Sequence, residues 1–280
     1  MAYVASFPRR PSSGLCNQLL NMVLCIETGA RTSRVAALGP FMPNFNADLK
    51  IPVEKILDIE ATNKILKEEG QPTQIGKVPV HYFLLSRKHV FDGKRRRSVE
   101  ERHAAGHTCI FVGHYMTPVG VPKVWSWLRF QPVFYKVVEE FCHENPGSWV
   151  TVHLRGEGDV ARRYGTKMGL SPDEFVDHLL QKYMTLMKTF PPKTQFFVST
   201  GLPASHTAFK TLQSNFKILH TSSEEWKRKI RDTTLLDGRE VFGLIDLLIG
   251  SLGTHLLGFR DSSMSWVLAA KIKKSTWITI

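Results

Sequence analysis

Apolar residues recur along this chain with two spacings, and each change of spacing predicts a junction between a strand and a helix. An apolar run over 2–7 ends at Pro8 and reads as a strand, and a Pro/Ser/Gly loop follows through Gly14. Leu19, Leu20, Val23 and Leu24 then recur at helical period within 17–28. Further strands are predicted at 33–38, 78–85 and 107–112, with a helix over 53–69 whose buried side carries Ile56, Ile59 and Leu66. The amino-terminal half therefore reads as a small α/β lobe.

A helix predicted to start at Pro132, with the stripe Val133, Val137, Val138 and Phe141, ends at Asn145-Pro-Gly147 and marks the boundary between lobes 1–130 and 131–280. Beyond it the alternation becomes regular. Strands at 149–154, 195–199, 216–220 and 254–258 are separated by helices at 172–190, 204–214 and 240–250, with a last helix from Ser263 that is expected to pack back on the first lobe. Such alternation predicts a parallel, doubly wound sheet. Ser171-Pro-Asp-Glu174 is the sharpest local signal, a capping box with proline at the first helical position.

Composition narrows the classes. With 280 residues and 42% hydrophobic content the chain can bury one large core or two modest ones. An excess of 37 Lys and Arg over 25 Asp and Glu, net +12, favours anionic partners without choosing among sugar nucleotides, nucleic acid and acidic membranes. Cys16, Cys25, Cys109 and Cys142 have neither metal-ligand nor disulfide-framework spacing, so reduced thiols in a cytoplasmic compartment are expected. No stretch is long and apolar enough to span a bilayer, and the first residues lack the pattern of a signal peptide. The reading is a soluble cytoplasmic protein.

The chemistry concentrates at two predicted strand ends. His153, Arg155, Glu157 and Asp159 follow the strand at 149–154, and Asp261, Ser262, Ser263 and Ser265 follow the strand at 254–258. Ligands of open α/β sheets bind beyond the carboxyl ends of the strands, and a helix N-terminus there is a seat for phosphate. Arg155 offers a guanidinium fork for phosphate oxygens, Gly156 and Gly158 allow close backbone approach, and Glu157 or Asp159 suits a general base. The competing readings are a loop ion pair for Arg155, a solvated helix-face charge for Asp246, and ordinary capping for each serine. Lys94-Arg-Arg-Arg97, with Lys88, Arg102, His103 and His107, is a basic cluster that a nucleic-acid-binding protein would use, but no aromatic residues interleave it, so a solvated loop is preferred. Trp125 and Trp127 read either as a platform for an acceptor or, preferably, as core packing.

Four short motifs, in order, resemble those of the fucosyltransferases that make α1,2, α1,6 and protein-O-linked fucose. Gly14-Leu-Cys-Asn-Gln18 resembles the amino-terminal Gly-Leu-Gly-Asn-Gln signature, His153-Leu-Arg155 the His-x-Arg motif, and Val198-Ser-Thr200 the strand ending in Thr-Asp. The run from Asp246 through Gly258 to Ser262-Ser-Met-Ser265 resembles the closing block. The resemblance implies a GT-B-like α/β fold of two Rossmann-like lobes facing a cleft, with an acceptor-side amino lobe and a carboxyl lobe that holds the nucleotide sugar. It also implies an inverting, metal-independent glycosyltransferase with a GDP-fucose-like donor, a glycan or glycoprotein acceptor and no cofactor beyond that co-substrate. The absence of an Asp-x-Asp triplet agrees with metal independence. Arg155 would bind the β-phosphate and His153 line the site. Gly14 and Asn17 would contribute from the facing lobe, and Thr200, Asp246, Ser262, Ser263 and Ser265 would hold base, ribose or phosphates. Cys16, Gly156 and Gly201 depart from the pattern, leaving open a UDP-pentose donor such as UDP-xylose, or a non-catalytic nucleotide-sugar-binding protein. The short chain points to a microbial or viral enzyme acting in host cytosol.

Overall fold

The structure, a computed structural model, describes residues 3–6, 14–41, 50–76, 109–112 and 121–279. The strand predicted at 78–85 and the basic cluster around Lys94-Arg97 lie outside the described residues. Two compact units divide at Gln131 and Pro132.

In the first unit, β1 (Tyr3–Ser6) is the centre of a parallel three-stranded sheet, flanked by β2 (Val35–Leu38) and β3 (Cys109–Val112). Helix α1 (Leu15–Thr32) packs on β1 and β2, burying Leu19, Val23 and Ile26, and the buried Cys25 thiol donates to the Val4 carbonyl at 3.3 Å. The helix predicted over 53–69 is two helices, α2 (Val53–Ile56) and α3 (Ile59–Glu68). Leu57 between them is extended and bridges to Phe130, while Asp58 caps α3 by accepting the Ala61 N–H at 2.9 Å. A local cap and a long-range bridge thus override a continuous apolar period. Helix α4 (Val121–Trp127) buries Trp127, whose indole N–H donates to Glu69 Oε2 at 2.5 Å, so this tryptophan is core rather than a platform.

The second unit is a five-stranded, wholly parallel sheet in the order β6-β5-β4-β7-β8, formed by β4 (Trp149–His153), β5 (Gln195–Ser199), β6 (Lys217–Leu219), β7 (His255–Phe259) and β8 (Ser275–Ile278). Its helices are α5 (Pro132–Glu144), α6 (Gly158–Met168), α7 (Pro172–Met187), α8 (Thr207–Asn215), α9 (Glu224–Thr234), α10 (Arg239–Gly250) and α11 (Ser263–Lys271). Alternate residues of β4 face opposite layers. Val150 and Val152 join Phe175, Leu179, Tyr183 and Phe209 in one core. Trp149 instead meets Phe141 edge-on at 6.1 Å, and Phe141 contacts Phe197 and Trp226 at 5.4 and 5.1 Å, which closes the other face. Each such fully buried side chain contributes roughly 1.5–3 kcal/mol.

Helix α4 of the first unit and three elements of the second went unread in the sequence. Helix α6 occupies the segment read as a charged loop, and Gly169, at φ +69, ends it in the left-handed conformation that glycine adopts without strain. Helix α9 buries only Trp226, Ile230 and Thr234 beneath a charged surface, and β8 extends the sheet where the last helix was expected to be final. The capping box at Ser171 forms in both directions, and no helix among the described residues is long and apolar enough to cross a membrane.

Candidate functional site

Strand order decides where the polar groups gather. From β4 the chain winds through β5 to β6 on one side, then returns to β7 on the other, so β4 and β7 flank the topological switch of this sheet. A crevice forms beyond the carboxyl ends of such a pair, because the two connections leave in opposite directions. His153 ends β4, and Ser262 precedes α11 just past the end of β7.

At this point the backbone leaves the ladder. Leu154 N–H still donates to the Ser199 carbonyl at 3.0 Å, Gly156 N–H turns back to Leu154 at 3.1 Å, and α6 begins after Glu157. Arg155 sits in that turn with its side chain 26% exposed, and its Nε lies 3.5 Å from Glu157 Oε2. Glu157 Oε1 accepts the Gly201 N–H at 3.0 Å and lies 3.9 Å from the Arg239 guanidinium. Glu157 therefore ties the loop after β4 to the loop after β5 and holds Arg155 in place. Asp159 occupies the first turn of α6.

Two departures from the fucosyltransferase pattern meet here. A Cβ on Gly201 would come within 2.6 Å of Glu157 Cγ, and one on Gly156 within 2.9 Å of Leu202 Cδ1. The first leaves no room for the aspartate common at that position, because the Glu157 stem fills it. Both glycines belong to one close fit between neighbouring loops.

Helix α11 begins uncapped. Ser262, 5% exposed, makes no side-chain capping hydrogen bond, so the first-turn N–H groups at Ser263, Met264 and Ser265 retain their partial positive charge. Asp261 is held by Tyr164 of α6, whose hydroxyl donates to Oδ2 at 2.5 Å. Ser265 is fully buried and accepts the Phe259 N–H at 2.9 Å, with His153 Nδ1 at 2.7 Å from its Oγ. His153 is itself 1% exposed, and its carbonyl accepts the Tyr183 hydroxyl at 2.5 Å. Burial and the nearby Arg155 charge push its imidazole down to about 3, so it is neutral throughout the physiological range.

A second buried cluster lies beside the first, at the ends of β5 and β6. Asp246 of α10, 7% exposed, accepts the Ser199 hydroxyl at 3.1 Å, the Thr221 hydroxyl and the Thr200 backbone N–H. Burial pushes its carboxyl up to about 7 against these three donors. Asp246 is thus a clamp across three chain segments, not a solvated helix-face charge. The Thr200 hydroxyl accepts from Leu202 N–H at 3.2 Å and shapes the loop next to Glu157.

The structure brings together His153, Arg155, Glu157, Thr200, Asp246, Ser262, Ser263 and Ser265 in the second unit. Gly14 and Asn17 belong to the first, where the Gly14 carbonyl accepts from Asn17 N–H at 3.0 Å at the start of α1. Asn17 Oδ1 is buried without a hydrogen-bond partner among the described residues. Tyr164, Tyr183, Ser199 and Thr221 were not assigned positions in the site from sequence. Their hydroxyls act across 25 to 97 residues and carry no local signature. Among the described residues no group of three or more His, Cys, Asp or Glu side chains is placed to hold a metal ion.

No family model matches the chain, and no curated protein matches it in sequence. Solved structures do. The α-1,6-fucosyltransferase NodZ, in crystals soaked with GDP-fucose, matches with a TM-score of 0.60 at 12% identity over 97% of this chain and 93% of that one. The selenomethionine form of NodZ from Bradyrhizobium matches at 0.60 and 11% over 100% and 96%. POFUT1 in complex with GDP-fucose matches at 0.61 and 12% over 100% of this chain and 99% of that one. The chain therefore has the α/β fold of these fucosyltransferase structures along its whole length.

Proposed function

We propose that this protein is a glycosyltransferase that takes a sugar from a nucleoside diphosphate donor, GDP-fucose-like, and transfers it to a glycan or glycoprotein hydroxyl. The observation that carries this reading is the 2.7 Å hydrogen bond between His153 and Ser265, which ties the end of β4, two residues before Arg155, to the uncapped first turn of α11 at the switch between β4 and β7. A guanidinium and a fan of free N–H groups are complementary to a diphosphate, and most so when it departs carrying extra charge. That the neighbouring folds are those of NodZ and POFUT1 crystallised with GDP-fucose supports the same reading.

The reaction is a single displacement with inversion. Glu157 or Asp159 takes the proton of the acceptor hydroxyl: Glu157 Oε1 accepts the Gly201 N–H, while its Oε2 makes no hydrogen bond among the described residues. The acceptor oxygen bonds to the anomeric carbon as the bond to the diphosphate breaks. Arg155 and the α11 amides meet the charge on the leaving group, with no metal required.

A thermal-shift screen of GDP-, UDP- and dTDP-sugars names the donor, and retention of a UDP-pentose instead of GDP-fucose changes the sugar but not the grip. Arg155→Ala lowers turnover at least tenfold to a hundredfold, about the worth of one donor to developing charge, while the melting temperature stays near that of the parent. A folded Arg155→Ala protein with undiminished transfer rejects the assignment.

A further inference from the structure

Ser265 and His153 stand 112 residues apart and share one short hydrogen bond inside the site. The direction of that bond follows from counting protons. A serine hydroxyl has one proton and two lone pairs. One lone pair of Ser265 Oγ receives the Phe259 N–H at 2.9 Å. If His153 Nδ1 also donated to it, the serine proton would need a third partner, and the fully buried Ser265 has none among the described residues. A buried donor left unsatisfied is the expensive arrangement. The inexpensive one has Phe259 N–H donating to Ser265 and Ser265 O–H donating to Nδ1, a relay that satisfies every group.

In that relay the ring proton resides on Nε2. No described residue pairs with this nitrogen, and the ring sits at the carboxyl end of β4, two residues before Arg155. We infer that Ser265 is a positioning residue: it is not a direct donor ligand but holds His153 as an Nε2–H donor aimed at the diphosphate or sugar. This inference rests on the proposed donor site. It gives that site a single neutral donor next to a permanent cation, which can bond one chosen oxygen without adding charge. Tyr183 fixes the same residue from behind through the His153 carbonyl, so ring and backbone are both held.

Nitrogen-15 NMR of histidine-labelled protein without ligand reads the tautomer directly. The expected result for the parent is a protonated Nε2 and a bare Nδ1 on His153, and for Ser265→Ala a mixture or reversal of the two. A protonated Nδ1 in the parent, or an unchanged pattern in Ser265→Ala, overturns the inference whether or not any nucleotide binds. Calorimetry with GDP and UDP supplies the second readout. Ser265→Ala is expected to weaken binding about tenfold, the worth of one hydrogen bond, and the double variant with His153→Ala is expected to bind no worse than His153→Ala alone. His153→Gln, whose amide nitrogen replaces Nε2, should retain more affinity than His153→Asn. Losses that multiply show that Ser265 touches the ligand itself and overturn the positioning role. If the parent protein binds neither nucleotide while its Nε2 is protonated, the donor-site reading fails and the relay stands.

Discussion

The two buried polar clusters at the carboxyl edge of the second sheet answer the same problem in opposite ways. His153 is a base stripped of water beside the permanent charge of Arg155, and it stays uncharged. Asp246 is an acid stripped of water but given two hydroxyls and a backbone N–H, and its ionisation is delayed to about pH 7 instead of being prevented. Donors favour the charged form of a carboxylate, whereas a neighbouring cation disfavours the charged form of an imidazole. One cluster is therefore fixed in a single state across neutral pH, and the other sits on the edge of titration. A constant hydrogen-bond donor suits a fixed ligand contact. A group poised near neutrality suits an element whose grip on its surroundings changes with pH.

The sharpest way to break this contrast is the pH dependence of stability. Asp246 is raised in the folded state, so its contribution is complete below the unfolded value of 3.8 and is lost as pH rises towards about 7. His153 is lowered, so its contribution is complete above 6.5 and is lost as pH falls towards about 3. Between pH 4 and 6.5 the two slopes oppose each other. Removing Asp246 removes its slope while the histidine slope remains in both proteins: the stability of Asp246→Asn relative to the parent should climb steadily as pH rises from 4 to about 7, by several kcal/mol in all. His153→Gln should show the mirror image, losing ground relative to the parent as pH rises from 3 to 6.5. Urea unfolding at half-unit pH steps measures both, and two differences that stay flat would remove the distinction between the clusters.

Tyr183→Phe tests whether the histidine cluster is rigid because its backbone is tied down. The change keeps the buried ring and deletes only the hydroxyl that donates to the His153 carbonyl at 2.5 Å. The orphaned carbonyl should cost about 1–3 kcal/mol at every pH, since burial holds the phenol well above its ordinary range and no titration is involved. A cost that varies between pH 5 and 8 would mean that the two clusters are coupled through β4.

The contrast was partly legible in the sequence. Strand ends were readable because apolar runs in a sheet buried on both faces stop abruptly, and the predicted strand at Gln195–Ser199 and helix start at Ser263 match the structure. Readable strand ends gave His153, Arg155 and the serines their places, since polar residues just past such runs fall on the ligand-binding edge. Helix α6 was hidden because the charged Arg162, Arg163 and Lys167 outweigh a buried side of Val160, Ala161, Tyr164 and Gly165, too small to show a helical apolar period. The partners were hidden for a different reason. Ser199, Thr221, Tyr164 and Tyr183 are common residues on unremarkable elements, and only the closure of the sheet brings them to Asp246, Asp261 and His153. Gly201 read as a defect in a motif, and it became intelligible only once Glu157 was seen to fill the space a side chain would need.

The smallest expected effect separates donor from scaffold in the acid cluster. Thr221→Val keeps the buried volume and removes the hydroxyl that donates to Asp246 Oδ1. At pH 5.5 the carboxyl is largely protonated, and loss of an ordinary hydrogen bond should cost about 1 kcal/mol. At pH 8 the same hydroxyl faces a carboxylate, so the cost should rise to about 2 kcal/mol. Because the lost donor favoured the ionised form, the Asp246 midpoint should move further up from about 7, visible as a shifted carbon-13 titration of its side chain. A midpoint that moves down would mean that Thr221 was stabilising the neutral acid, and Asp246 would then belong with His153 as a group locked in one state.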